Sequence, residues 1–402
     1  MKAHATPVTW PTGALRSPCN GRPLAGAGPG TLTDGEKLWP VVAGIPYLRV
    51  GRDELVEFAC RALERGDERA ALVELLRDQD DWAPDPPPER AAVEALVDGE
   101  PNLHEAMDLL GFGPVGDYFT YRLSDPTYLA GLALIQAHWK TPRNSFELAC
   151  GIGHYSRDLS RRGIATAGGD VVFAKLWLAR RYVAPETRFV CFDAAYPFPI
   201  TDGSADLALC QDALYFLPEK AHVAKELVRI SGGEGGTIAI GHAHNADAEN
   251  HSSGAPLTVE GYAALLPDPL LYDDAELTEA FVSRMPPVPR AAEDLVESEA
   301  VCLISGARKY DNPPNLTLPP PGTPLFPNPL YAISGEDPVT LRLEWPSSRY
   351  EDEYAPRSGY LPGGLEVPRA VLDRAVLGAV GSDPEVDRLA WCRVLLDLPE
   401  HA

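Results

Sequence analysis

An α/β fold with a parallel sheet covered on both faces is predicted for the middle of this 402-residue chain. Three observations predict it. From Asn144 onward, short apolar runs alternate with helical patterns, the rhythm of βαβ units. The stretch "SFELACGIGHYSRDLSRRG", residues 145–163, passes from a strand-like run to a helix-like one through Gly151 and Gly153. Carboxylates recur at even spacing: Glu147 in the first strand-like run, Asp170 closing the second, Asp193 closing the third. Ligands of open α/β sheets bind outside the carboxyl ends of the strands.

Taken in order, residues 1–36 are rich in Pro, Gly, Ala and Thr and read as a loose N-terminus. "LWPVVAGIPYLRV", residues 38–50, reads as two short strands around a Gly-Ile-Pro turn. Residues 53–80 are helical in pattern, with Leu55, Phe58, Ala59 and Leu63 on one face and a break at Gly66. "DDWAPDPPPER", residues 80–90, reads as a linker. Residues 90–140 are helical again, interrupted by "GFGPVGDYF". Residues 37–135 thus form a mostly helical cap region before an α/β domain at 136–310. Strands are expected at 146–150, 166–170, 188–193, 207–211 and 237–242, with helices at 172–182 and 218–230. A helix near 273–283 and a strand at 300–306 follow. The C-terminal extension, 311–402, opens on the proline-rich "DNPPNLTLPPPGTPLFPNPL" and ends on a helix near 384–398.

The net charge of −23 opposes binding to phosphate backbones and anionic lipid. The doubled arginines Arg161–Arg162 and Arg180–Arg181 fall on predicted helices and read as a solvated face. Neither nucleic acid nor membrane is an expected partner. The seven cysteines form no CxxC pair, so no disulfide framework and no zinc site of standard spacing is expected. No apolar run is long enough for a signal peptide or a membrane span, and a cytoplasmic location is expected.

What does the glycine turn hold? A dinucleotide turn wants G-x-G-x-x-G, but the third position here is Ser156. A phosphate loop wants Gly-Lys-Ser or Gly-Lys-Thr, which is absent. Glu147 would repel a pyrophosphate. It suits a cationic, phosphate-free ligand such as S-adenosylmethionine, which carries a sulfonium and an ammonium group. Asp170 is placed to accept ribose hydroxyl protons, and Asp193, followed by small Ala194 and Ala195, to accept the adenine amino group.

"FELACGIGHYSRDL", "GGDVVFAKLWLARRY", "VCFDAAYPFPITDGSADLALCQDALYFLPE" and "LVRISGGEGGTIAIG" resemble, in order, the motifs of class I S-adenosylmethionine-dependent methyltransferases. The resemblance covers roughly residues 144–245. It implies a Rossmann-like class I methyltransferase sheet with an N-terminal helical cap and a C-terminal extension, and S-adenosylmethionine as cofactor. It also implies a cofactor site built from Glu147, Ala149, Gly151, Gly153, Asp170, Val171, Asp193, Ala194 and Gln211. Ala149 stands where the family has its first glycine, and Val171 where a Ser or Thr is common. "LWPVVAGIPYLRV" is similar to the end of a zinc-ribbon-like segment that precedes many bacterial methyltransferases. Only Cys19 remains of its cysteines, so a metal-free packing role is expected.

Methyl transfer from a sulfonium is an in-line displacement that needs alignment above all; a general base helps a hydroxyl or thiol nucleophile. Asp212, after the fourth strand, either orients or deprotonates an acceptor or caps the turn that follows. The fifth strand runs into "GHAHNADAENHSSG", where His242, His244 and His251 fall within ten residues at the expected mouth of the site. They offer a base or an acceptor contact, or form a plain polar loop. A metal reading lacks a committed carboxylate ligand, and no metal is assigned. Tyr118 and Tyr121 either cover the cofactor or pack the core. "WPSSRYEDEYAPRSGYLP", in the tail, reads as an exposed rim rather than an acceptor pocket. The function expected is methyl transfer to a small-molecule oxygen or nitrogen. The alternatives are a non-catalytic cofactor-binding or scaffold protein, and a protein methyltransferase with an open groove.

Overall fold

The computed structural model describes residues 9–80, 86–249, 254–306 and 315–399. The chain opens on an antiparallel meander of β1 (Ala25–Gly28), β2 (Thr31–Thr33), β3 (Leu38–Val42) and β4 (Ile45–Pro46). Ala43 and Gly44, both at positive φ, make the β3–β4 turn. Ile45 and Pro46 therefore lie in the strand, not in the turn expected there. Residues 9–36 are tied down rather than loose. The Trp10 indole donates to Phe189 O at 2.9 Å, Leu15 bridges to Ile200, and Leu24 is buried. These partners lie far along the chain, so composition alone hides them.

Helices α1 (Asp53–Glu64), α2 (Glu68–Leu76), α3 (Arg90–Asp98), α4 (Leu103–Leu109), α5 (Pro114–Tyr121) and α6 (Pro126–Ala137) follow. α1 buries Val56, Ala59, Ala62 and Leu63 on one face, and Gly66 breaks the chain before Asp67 caps α2 through Ala70 N. The expected interruption at 111–119 narrows to Gly111–Gly113: Pro114, at the first helical position, starts α5.

The central sheet uses β5 (Asn144–Leu148), β6 (Ala165–Asp170), β7 (Arg188–Cys191), β8 (Leu207–Gln211), β9 (Thr237–His244), β10 (Leu270–Asp273) and β11 (Ala300–Gly306) in the order β10-β11-β9-β8-β5-β6-β7. The five strands β5 to β9 are parallel; β11 is antiparallel to both β9 and β10. Helices α7 (His154–Ser160), α8 (Phe173–Leu178), α9 (Lys220–Ile230), α10 (Val259–Ala263) and α11 (Asp274–Ser283) flank or link them. Strand order reverses between β5 and β8, the switch point at which such sheets open a crevice. β9 runs two residues beyond its expected end, through a register shift opposite Cys302 with His242 at φ 47. His244 therefore joins His242 in the strand rather than lying in a loop.

The C-terminal part builds β12 (Phe326–Pro327), β13 (Tyr331–Ser334), β14 (Val339–Leu343), α12 (Ser348–Tyr354), β15 (Gly364–Val367), α13 (Arg369–Val376), α14 (Pro384–Trp391) and β16 (Leu395–Leu396). β13, β14 and β15 form an antiparallel sheet over a core that includes Leu325, Val339, Leu341, Val386 and Leu389. The last helix stops at Trp391, because Arg393 takes φ 57 and Leu395–Leu396 pair with β12. Trp391 stacks on Phe281 of α11, with ring centroids 5.9 Å apart.

Candidate active site

The turn between β5 and α7 passes through Ala149, Gly151 and Gly153, all at positive φ. Glycine adopts this conformation freely; Ala149 does so at a cost. Gly151 N donates to Asp170 Oδ2 at 3.0 Å, and Val172 N to Asp170 Oδ1 at 2.9 Å. The ring of Phe119, from α5, covers the turn: a Cβ on Gly151 would lie 2.9 Å from it. Glu147 is buried under the start of α7, where its Oε2 accepts from Ser156 N at 2.9 Å and from Ser156 Oγ at 2.6 Å. Burial pushes its carboxyl up to about 7, against the Ser156 bonds.

Asp193 and Ala194 follow the end of the neighbouring strand β7, and Asp193 Oδ1 accepts from Ala195 N at 2.8 Å. Val171 O faces Cys191 Sγ at 3.4 Å. Gln211 is wedged between α6 and β9: its Nε2 donates to Ala239 O at 3.3 Å, and side-chain carbons at Gly131 or Gly241 would collide with it. The donor set suits a cationic nucleoside. A carboxylate offers about four acceptor positions, and Asp170 spends two of them on main chain. Held this way, Asp170 remains able to take ribose hydroxyls and Asp193 an adenine amino group.

A second constellation lies at the carboxyl ends of β8 and β9. Asp212, at φ 54, is buried. Its Oδ2 accepts from Tyr118 OH at 2.8 Å and its Oδ1 from Tyr215 OH at 2.8 Å. Arg122 Nη1 stands 3.3 Å from Oδ2 and also binds Asp125 Oδ2 at 3.0 Å. His242 Nε2 is 4.0 Å from Asp212 Oδ1, and its Nδ1 is 3.0 Å from Asp274 Oδ2. Asp274 also accepts from Arg357 Nη1 at 2.8 Å and from Cys302 Sγ at 3.3 Å. The His244 ring stacks edgewise on Tyr215 and His242, and its Nδ1 is buried without a partner.

These neighbours set the charges. Burial alone would raise the Asp212 carboxyl, but His242, Arg122 and the two tyrosine hydroxyls hold it below the ordinary range. Burial opposes charge on His242 too, yet Asp274 and Asp212 raise it above the ordinary value. Asp274 is held down at about 2 despite its burial, chiefly by His242 and then Arg357. His244, with no carboxylate in hydrogen-bond contact, drops to about 4 through burial and the charge on His242. At neutral pH the site therefore holds anionic Asp212 and Asp274 and neutral His244, while Asp274 and Asp212 favour the charged form of His242.

The structure thus gathers Asp212, His242 and His244 and adds Arg122, Asp125, Tyr215, Asp274 and Arg357. No motif marks Arg122, Asp125, Asp274 or Arg357 in the sequence, and Tyr215 lies inside the third quoted motif without a role assigned to it. Tyr118 takes a polar role, bonding Asp212, that neither of the readings offered for it included. The tail segment is an exposed rim only in part: residues 347–349 and 351–353 are exposed, but Tyr350 and Tyr354 are buried, Tyr350 meets Tyr121 edge-on at 5.6 Å, and Arg357 reaches Asp274. His251 lies outside the described residues. Among the described residues, no group of His, Cys, Asp and Glu side chains is placed to hold a metal ion, and no helix is long and apolar enough to cross a membrane.

Residues 146–239 match the family model described as "Methyltransferase domain". No curated protein matches the chain. Among solved structures, one neighbour is a SAM-dependent methyltransferase from Thermotoga maritima described as a possible histamine N-methyltransferase. It is 17% identical, with 51% of this chain and 99% of that one covered at a TM-score of 0.37. Another is phosphoethanolamine N-methyltransferase 2 of Haemonchus contortus, solved with phosphomonomethylethanolamine and S-adenosylhomocysteine. It is 13% identical, with 52% of this chain and 61% of that one covered at a TM-score of 0.37.

Proposed function

We propose that this chain, which carries a class I S-adenosylmethionine-dependent methyltransferase domain, transfers a methyl group to an oxygen or nitrogen of a small-molecule acceptor. The observation that carries this reading is the buried cluster of Asp212, Tyr118, Tyr215, His242 and His244 where β8 and β9 end. S-adenosylmethionine supplies an electrophilic methyl on its sulfonium. Gly151, Gly153 and Asp170 bind the nucleoside end, and Asp193 its base. Asp212 accepts a hydrogen bond from the acceptor's O–H or N–H and so fixes the direction of attack. His244 Nδ1, neutral and unpartnered, takes the acceptor's proton. His242, clamped by Asp274, keeps Asp212 ionised. Cover from α5 and α12 supports a small acceptor over a protein substrate, which needs an open groove. The buried, fully assembled polar cluster favours turnover over a scaffold role.

Calorimetry with S-adenosylmethionine on the wild type and on Asp170→Ala tests the cofactor assignment; unchanged affinity in the variant removes it. Transfer of labelled methyl to metabolite fractions tests turnover. Binding without transfer to any fraction would favour the scaffold reading.

A further inference from the structure

We propose that the junction between α7 and the C-terminal extension is a binding site for a small oxyanion of the phosphate class. A small, partly open cleft lies there, lined by Arg157, Arg162, Arg393, Asp158, Asp397 and Leu316 among others. Three of the four arginines gathered here are already held. Arg157 Nη2 donates to Asp397 Oδ1 at 2.8 Å, and Arg161 pairs with the same carboxylate. Arg162 donates to Leu318 O at 2.8 Å and to Asp158 O at 2.9 Å.

Arg393 is different. It is 7% exposed, and its Nε and Nη2 are buried with no hydrogen-bond partner. Its guanidinium lies over the Phe281 ring, 5.3 Å from the centroid. Burial pulls it below its ordinary value, yet an arginine does not give up its proton in a protein. A buried, unpaired cation is unfavourable unless an anion meets it.

The local charge count points the same way. Arg157, Arg161, Arg162 and Arg393 face Asp158 and Asp397, an excess of two positive charges in a protein of net charge −23. A doubly charged tetrahedral oxyanion balances that excess, and the planar fork of a guanidinium matches its oxygens in a bidentate way. The doubled arginine Arg161–Arg162 is half-buried and bound to Asp397, Asp158 O and Leu318 O, rather than the freely solvated face its sequence suggests. The bound anion would fasten α7 to the extension that carries Arg357.

The test is titration calorimetry of inorganic phosphate into the full chain, at an ionic strength fixed with chloride. One saturable site is expected in the wild type, at least tenfold weaker in Arg393→Met. Phosphate is expected to raise the melting temperature of the wild type and not of the variant. In chloride alone, Arg393→Met is expected to melt at or above the wild type, since it deletes an unpaired buried cation. Arg342→Met, at an exposed position on β14, should bind as the wild type does. If Arg393→Met does not fold, Arg162→Met carries the same tenfold expectation. No saturable binding to the wild type, or equal binding to the arginine variant, overturns the proposal.

Discussion

Arg357 Nη1 donates to Asp274 Oδ2 over 2.8 Å, and His242 Nδ1 meets the same oxygen at 3.0 Å. A residue of the C-terminal extension thereby completes a charge network inside the α/β domain. Removing Arg357, whose side chain is 20% exposed, leaves the buried Asp274 carboxylate with His242 as its remaining charged partner. Arg357→Ala is expected to cost about 1–3 kcal/mol of unfolding free energy in urea titration. It should lower methyl transfer far more than affinity for S-adenosylmethionine, because Asp274 supports His242 and not the glycine turn.

Glu147 makes stability depend on pH. Its folded value, about 7, lies above the ordinary 4.5. The folded state therefore holds the proton more tightly, a contribution fully present below pH 4.5 and lost as pH rises through 7. Relative to Glu147→Gln, the cofactor-free wild type should lose roughly 3 kcal/mol across that window. Urea midpoints at pH 5 and pH 8 measure the difference; parallel changes in the two proteins would refute the assignment.

Tyr118→Phe removes one hydroxyl from Asp212 and leaves Tyr215 in place. The fold should lose about 1 kcal/mol. Without that bond the Asp212 carboxyl rises, so the acid limb of the rate profile should move to higher pH. A fall in kcat of about tenfold, or 1.4 kcal/mol, is expected with cofactor affinity unchanged. Steady-state kinetics across pH, with calorimetry, read both.

Ala149 holds φ 51, where a side chain costs roughly 1 kcal/mol. Ala149→Gly should recover up to about 1 kcal/mol in denaturant titration. Gly151→Ala should do the opposite, since its φ is 54 and its new Cβ would press on Phe119 at 2.9 Å. A loss of about 1–3 kcal/mol is expected, together with weaker cofactor binding.

The parallel strands were legible because each is buried on both faces and reads as an apolar run: β8, Leu207–Gln211, is buried throughout. The glycine turn was legible because a left-handed backbone selects glycine at Gly151 and Gly153. Gln211 was named as a cofactor contact on the family resemblance, which carries no information on the close approach of Gly131 and Gly241 to its side chain. The extent of β9 was hidden by a bulge, which breaks the two-residue period at His242. Arg122, Asp274 and Arg357 were invisible as site residues, since their meaning comes from partners such as the one 83 positions away. Of the N-terminal meander, β3 and β4 were read from the apolar run at 38–50, whereas β1 and β2 were hidden because Ala25–Gly28 and Thr31–Thr33 carry small and polar residues with no buried apolar run.

β7 ends the central sheet, and its outer side carries Trp10 on Phe189 O and Leu48 N on Cys191 O at 2.7 Å. During synthesis this seal leaves the ribosome well before the flank it covers. The newborn β7 thus finds its cover already waiting and need not offer open amides to a second copy. A chain deprived of residues 9–50 would emerge with that flank bare, and clumping of copies, rather than loss of chemistry, would be the first thing to go wrong.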